Sequence, residues 1–140
     1  MEFLRKISPE WALRLTLGLM YLYSGQDIIR HPTAWLWALP YWLKQFIAQF
    51  TELGTYLRLQ GAVEIIFALI FLSWFLKPRV VKVASLLASI EFLAILVLAF
   101  LPWSEANFTI TFRDIGLLGA SLALFLILKD KSYDIASRKF

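Results

Sequence analysis

At 140 residues the chain makes one domain. With 60% apolar and only 17% charged residues, it carries more apolar surface than a soluble domain of that size can bury, and it reads as an integral membrane protein. It has no cysteine and a single histidine, His31, which excludes disulfides, thiolate nucleophiles, iron–sulfur clusters, Cys-ligated zinc and a bis-His haem. The net charge of +4 reports topology here rather than nucleic-acid binding, and no glycine-rich nucleotide loop is present.

A membrane-crossing helix needs about 20 mostly apolar residues. Four segments satisfy this, at residues 11–29, 55–76, 80–101 and 113–128. The expected fold is therefore all-α, a polytopic membrane four-helix bundle in which residues 1–140 form a single membrane domain. Punctuation supports the ends. Pro32 and Pro40 follow the first span, Lys77-Pro78-Arg79 divides the second from the third, Pro102 stops the third, and Lys129-Asp130-Lys131 closes the fourth. The first span is too long for a signal peptide, carries Arg14 early and lacks a small-x-small site, so it is expected to be retained.

Between the first two spans, Leu43, Phe46, Ile47, Phe50 and Leu53 recur at helical spacing, with Lys44, Gln45, Gln49 and Glu52 opposite. This predicts an interfacial amphipathic helix over 41–53, lying in the headgroup layer. Its favoured role is a lid or strut; the sharper alternative is a gate over a site opening to the outer leaflet.

Basic residues set the orientation. Arg5, Lys6, Lys77, Arg79, Lys82, Lys129, Lys131, Arg138 and Lys139 fall on one side, against Arg30, His31, Lys44, Arg58 and Arg113 on the other. Both termini are expected in the cytoplasm. Trp11 and Trp74 then mark the inner interface, and Trp35, Trp37, Tyr41, Trp42 and Trp103 the outer one.

Ionisable groups inside a bilayer cost about 2.5–3.5 kcal/mol each at a helix centre, so each needs a reason. For Arg14, snorkelling plus an ion pair with Glu10, four residues earlier, suffices. The others gather in the outer half. They are Tyr23, Ser24, Gln26 and Asp27 on the first span, Arg58, Gln60 and Glu64 on the second, Glu91 on the third, and Arg113 and Asp114 on the fourth. They are expected to face a shared polar core.

Four acids there face two arginines. Asp27 and Asp114 are each expected to take an arginine, leaving Glu64 and Glu91 short of positive charge. An unpaired buried acid favours its protonated form, and Glu91, the deepest, is the better candidate. The network serves either as glue between helices or as a site; two glutamates at this depth favour a site. The binding candidates are Asp27, Arg58, Gln60, Glu64, Glu91, Arg113 and Asp114, with Glu64 and Glu91 as proton-transfer candidates. No metal site is expected. Gly116/Ala120, Gly119/Ala123 and Ala84/Ala88 are small-xxx-small pairs that suit packing within the chain or a homodimer, while Gly18 and Gly25 share one face of the first span.

Three motifs occur in order along the chain. The first span holds Arg14, Gly18, Ser24-Gly25 and Asp27, followed by Pro32. The second reads Gly61-Ala62-Val63-Glu64-Ile65, and the fourth opens Arg113-Asp114-Ile115-Gly116-Leu117-Leu118-Gly119. Together they make the chain resemble the DoxX-like family of four-span membrane proteins. The resemblance implies functional weight for Arg14, Asp27, Glu64, Arg113 and Asp114; Glu91 is not part of the family pattern. Some members are the membrane subunit of a thiosulfate:quinone oxidoreductase, others associate with redox-stress proteins, and related four-span proteins act as assembly factors or cargo chaperones.

Three functions follow as expectations. The first is a quinone- or lipid-binding subunit, with no covalent cofactor, linked to a redox partner protein in the cytoplasmic membrane of a bacterium or archaeon. The second is a non-enzymatic assembly factor or accessory subunit. The third is a small proton-coupled transporter, which would need to oligomerise because no inverted repeat or broken helix is visible. Hydrolysis is the least favoured, since no nucleophile–base pair is visible.

Overall fold

The computed structural model describes residues 8–101, 103 and 108–137, with backbone alone for 108–112 and 130–137. Five α-helices follow in order: α1 Pro9–Arg30, α2 Tyr41–Ala48, α3 Leu53–Leu72, α4 Pro78–Ala99 and α5 Phe108–Ser137. A 310 turn, Pro32–Ala38, lies between α1 and α2, and the described residues contain no strand. Pro9 and Pro78 open α1 and α4, where a missing N–H costs no helical bond. Helices α3 and α4 are each long and apolar enough to cross a membrane.

The helix ends depart from the sequence expectation where tertiary contacts set them. The second segment, expected to run to Leu76, ends at Leu72, because Ser73 turns extended and its carbonyl is taken by Arg14. Helix α5 extends well beyond the expected 113–128. The amphipathic stretch expected over 41–53 is helical only over Tyr41–Ala48, and Leu53, expected to end it, opens α3. Only Ile47 of its apolar face is buried, while Phe46 and Phe50 stand exposed. Arg5, Lys6, Pro102, Arg138 and Lys139 lie outside the described residues, as does the side chain of Lys131.

Helix α1 packs along α3 and α4 along α5, with smaller α1–α5 and α3–α4 contacts closing the arrangement. The α1–α3 crossing is a backbone contact. A Cβ on Gly25 would meet the Gly61 carbonyl at 2.7 Å, and one on Gly61 would meet that of Gly25 at 2.8 Å. Only glycine allows this approach. Gly116 and Gly119 do not behave this way: both are exposed, with open space where a Cβ would sit. Ala84 and Ala88 are buried on α4, so that pair packs within the chain.

The core joins Leu17 and Tyr21 of α1, Ala68 and Phe71 of α3, Val81, Ala84, Ala88 and Phe92 of α4, and Leu124 and Leu128 of α5. Tyr21 lies among Phe67, Phe71 and Phe92, with ring centroids at 5.2, 6.0 and 5.6 Å. The outward faces are apolar as well. Leu15 and Leu19, Ile66 and Leu69, Ile90 and Leu93, and Leu122 and Leu126 are exposed, while Glu10, Arg14, Glu64 and Asp114 are buried. In water this distribution would be inverted.

Candidate functional site

Ionisable groups are buried at both ends of α1. Near its start, Arg14 is 4% exposed. Its Nε donates to the Phe71 carbonyl at 3.0 Å, its guanidinium donates to the Ser73 carbonyl, and its Nη1 lies 3.3 Å from Glu10 Oε1. The Trp11 ring covers the cation, with Cζ 4.1 Å from the ring centroid. The expected Glu10–Arg14 pair is present, and Arg14 does more than pair. It reaches across to cap the last carbonyls of α3, which no helical N–H can satisfy.

The other end encloses a cavity of about 270 Å³ between α1, α3 and α4, where the 310 turn and Leu43 of α2 fold over it. Its walls are mainly apolar, from residues such as Met20, Ile28, Leu57, Phe92 and Ile95. Seven polar side chains also line it: Tyr21, Ser24, Tyr56, Gln60, Glu64, Glu91 and Arg113. Helical spacing places them there. Tyr21 and Ser24 are three residues apart on α1, and Gln60 and Glu64 four apart on α3, so each pair shares a face.

Glu91 is held on both oxygens. Tyr21 Oη donates to Oε2 at 2.8 Å and Gln60 Nε2 donates to Oε1 at 2.6 Å. Glu64 lies beside Ser24, and its Oε2 is buried with no partner. Glu91 is thus the better satisfied of the two. Arg113 Nε donates to Asp114 Oδ1 at 2.8 Å. The Arg113 side chain is 51% exposed, whereas Asp114 is fully buried and its Oδ2 also lacks a partner.

Four of the seven predicted binding residues, Gln60, Glu64, Glu91 and Arg113, therefore line one cavity. Asp114 adjoins it through Arg113. Asp27 accepts a hydrogen bond from the Trp35 indole at 2.8 Å, not from an arginine, because the 310 turn folds Trp35 back over the end of α1. Arg58 is exposed and lines no part of the cavity. Leu57, Gly61, Glu64, Ala68 and Phe71 form the buried face of α3, and residue 58 sits about 100° round the helix from Leu57.

Some residues of the site escaped the sequence reading. Tyr23, grouped with the polar cluster, is 77% exposed, whereas Tyr21 is buried and bonds Glu91. The signal was available, since Tyr21 shares the face of Leu17 and Gly25, both buried. Trp35, read as an interface marker, lines the cavity. Between α4 and α5 the buried hydroxyls of Ser89 and Ser121 lie 3.0 Å apart, a polar join that the reading also missed. Among the described residues no three His, Asp or Glu side chains converge as a metal site.

The chain matches no protein-family model, no curated protein and no solved structure.

Proposed function

We propose that the chain is a four-span membrane protein, both termini cytoplasmic, that holds one amphipathic small molecule, quinone-like or lipid-like. The observation that carries this reading is the cavity itself, with mainly apolar walls joined to seven polar side chains, one of them a buried carboxylate with an oxygen to spare. The four-span arrangement is supported by the outward apolar faces of α1, α3, α4 and α5 around buried charge. Helices α1 and α5, of 22 and 30 residues, have the length to span. Their charged residues are the ones turned inward or placed at their ends.

A link to a redox partner protein is the second reading. It is favoured by Arg113 lining the same cavity as Glu64 and Glu91. A guanidinium can polarise a quinone carbonyl and a carboxyl can carry its proton, while the electrons would come from the partner.

Topology is tested on single-cysteine variants of this cysteine-free chain. Gln49→Cys should label from outside intact cells and Arg79→Cys only after permeabilisation; the reverse pattern, or labelling of both from one side, removes the arrangement. Ligand binding is tested by thermal unfolding of delipidated protein before and after a membrane extract is returned. Wild type should gain stability, and Glu64→Gln and Ala94→Trp, which sets a bulky ring in the cavity lining, should not. Equal gains in all three would count against the cavity as a site.

A further inference from the structure

We propose that the cavity selects a cationic head, so that its ligand is a lipophilic amine or ammonium rather than a neutral or anionic amphiphile. This rests on the reading of the cavity as a ligand site and narrows the class of ligand.

The charges around the cavity do not balance. Glu64 and Glu91 line it, and Asp114 stands directly behind Arg113. Arg113 is the one cation among the described lining residues; it is bound at Nε by Asp114 and is half-exposed. Three carboxylates therefore share one guanidinium. The donors to Glu91, Tyr21 and Gln60, are neutral, so its hydrogen bonds are satisfied while its charge is not matched. Glu64, 8% exposed, keeps a buried oxygen that no donor meets. Leaving such an oxygen unmet costs more than a neutral group would, and an incoming donor removes that cost.

Head groups differ in what they bring. A quinone or ester carbonyl offers acceptors alone, which a carboxylate cannot use and which Glu64 could meet only by supplying its own proton. An anionic head would add a fourth negative charge. A protonated amine offers donors and a positive charge together. Trp35, Trp37 and Tyr56 also line the cavity. Aromatic faces beside carboxylates suit an alkylammonium through its methylene and methyl hydrogens. The apolar walls take the tail. Ala94 lines the cavity yet is exposed on α4, which marks a side opening for that tail.

The test uses three probes of one chain length, decylamine, decanol and decanoate, with purified full-length protein in zwitterionic nanodiscs. Binding is measured by equilibrium dialysis over empty nanodiscs. Decylamine should bind about tenfold or more tighter than decanol, with decanoate weakest. Glu64→Gln should bring decylamine down to the decanol level and leave decanol unchanged. If all three bind alike and Ala94→Trp, which sets a bulky ring at the side opening, removes all three, the ligand site stands and the cationic selection is overturned. If none binds above empty nanodiscs, both the site and the selection fall. Preference for decanoate overturns the selection in favour of Arg113. The wild-type series decides the matter unaided, so a Glu64→Gln protein that fails to assemble does not remove the test.

Discussion

Helix α1 carries Arg14 near one end and Ser24 with Asp27 near the other, and the surroundings of the two ends differ. At the Arg14 end, one guanidinium serves two carbonyls and a carboxylate beneath an indole ring. At the cavity end, two carboxylate oxygens, on Glu64 and Asp114, are buried without partners, and Glu64 lines open volume. Burial alone does not separate the two, since Arg14 and Glu64 are about equally hidden. Satisfaction does. A buried charge whose every bond is met is explained by the fold, whereas one left short next to a cavity calls for a ligand.

The largest predicted effect breaks the satisfied end. Arg14→Ala should cost about 3 kcal/mol, because it uncaps α3 and removes the buried Arg14–Glu10 pair. Thermal unfolding in nanodiscs by circular dichroism measures it. Arg14→Lys should recover less than half, since an ammonium cannot fork to the same acceptors. A loss below about 0.5 kcal/mol for Arg14→Ala would show that the cap is dispensable.

Next comes the crossing between the two ends. Gly25→Ala drives a methyl onto the Gly61 carbonyl and should cost about 1–3 kcal/mol. Gly116→Ala meets open space and should be neutral or stabilising by about 0.5–1 kcal/mol through helix propensity. Equal effects at the two glycines would contradict the packing described. A smaller change is expected at the serine join, where Ser121→Ala should cost about 0.6 kcal/mol in the same assay.

The smallest stability effect belongs to the unsatisfied end. Glu64→Gln keeps the shape and removes a charge that no cation meets directly, so unfolding should shift by less than about 0.5 kcal/mol. A loss as large as that of Arg14→Ala would make Glu64 part of the scaffold and erase the distinction between the ends.

Much of this was legible in the sequence. The long helices are found from the lengths of their apolar runs, and the inward-facing polar residues from the cost of placing them anywhere else. Gln60, Glu64, Glu91 and Arg113 could be grouped because the expected topology put them all in the outer half, and they do line one cavity. The rest depended on contacts that periodicity does not encode. The early end of α3 depends on a side chain 57 residues away, Arg14 on Phe71. Arg58 and Gln60 are equally polar, and only the helical phase relative to Leu57 and Glu64 separates exposed from lining. The partner of Asp27 comes from a 310 turn that carries no apolar repeat, so Trp35 could not be placed beforehand. Gly25 and Gly116 look alike in sequence, and their difference appears only when the helices are docked.

The most direct measurement is native mass spectrometry of the protein extracted in polymer nanodiscs with its membrane environment intact, on wild type, Arg14→Lys and Glu64→Gln. The account predicts a near-stoichiometric small molecule on wild type and on Arg14→Lys, lost from Glu64→Gln. No enriched small molecule on wild type, or equal retention by Glu64→Gln, would contradict it.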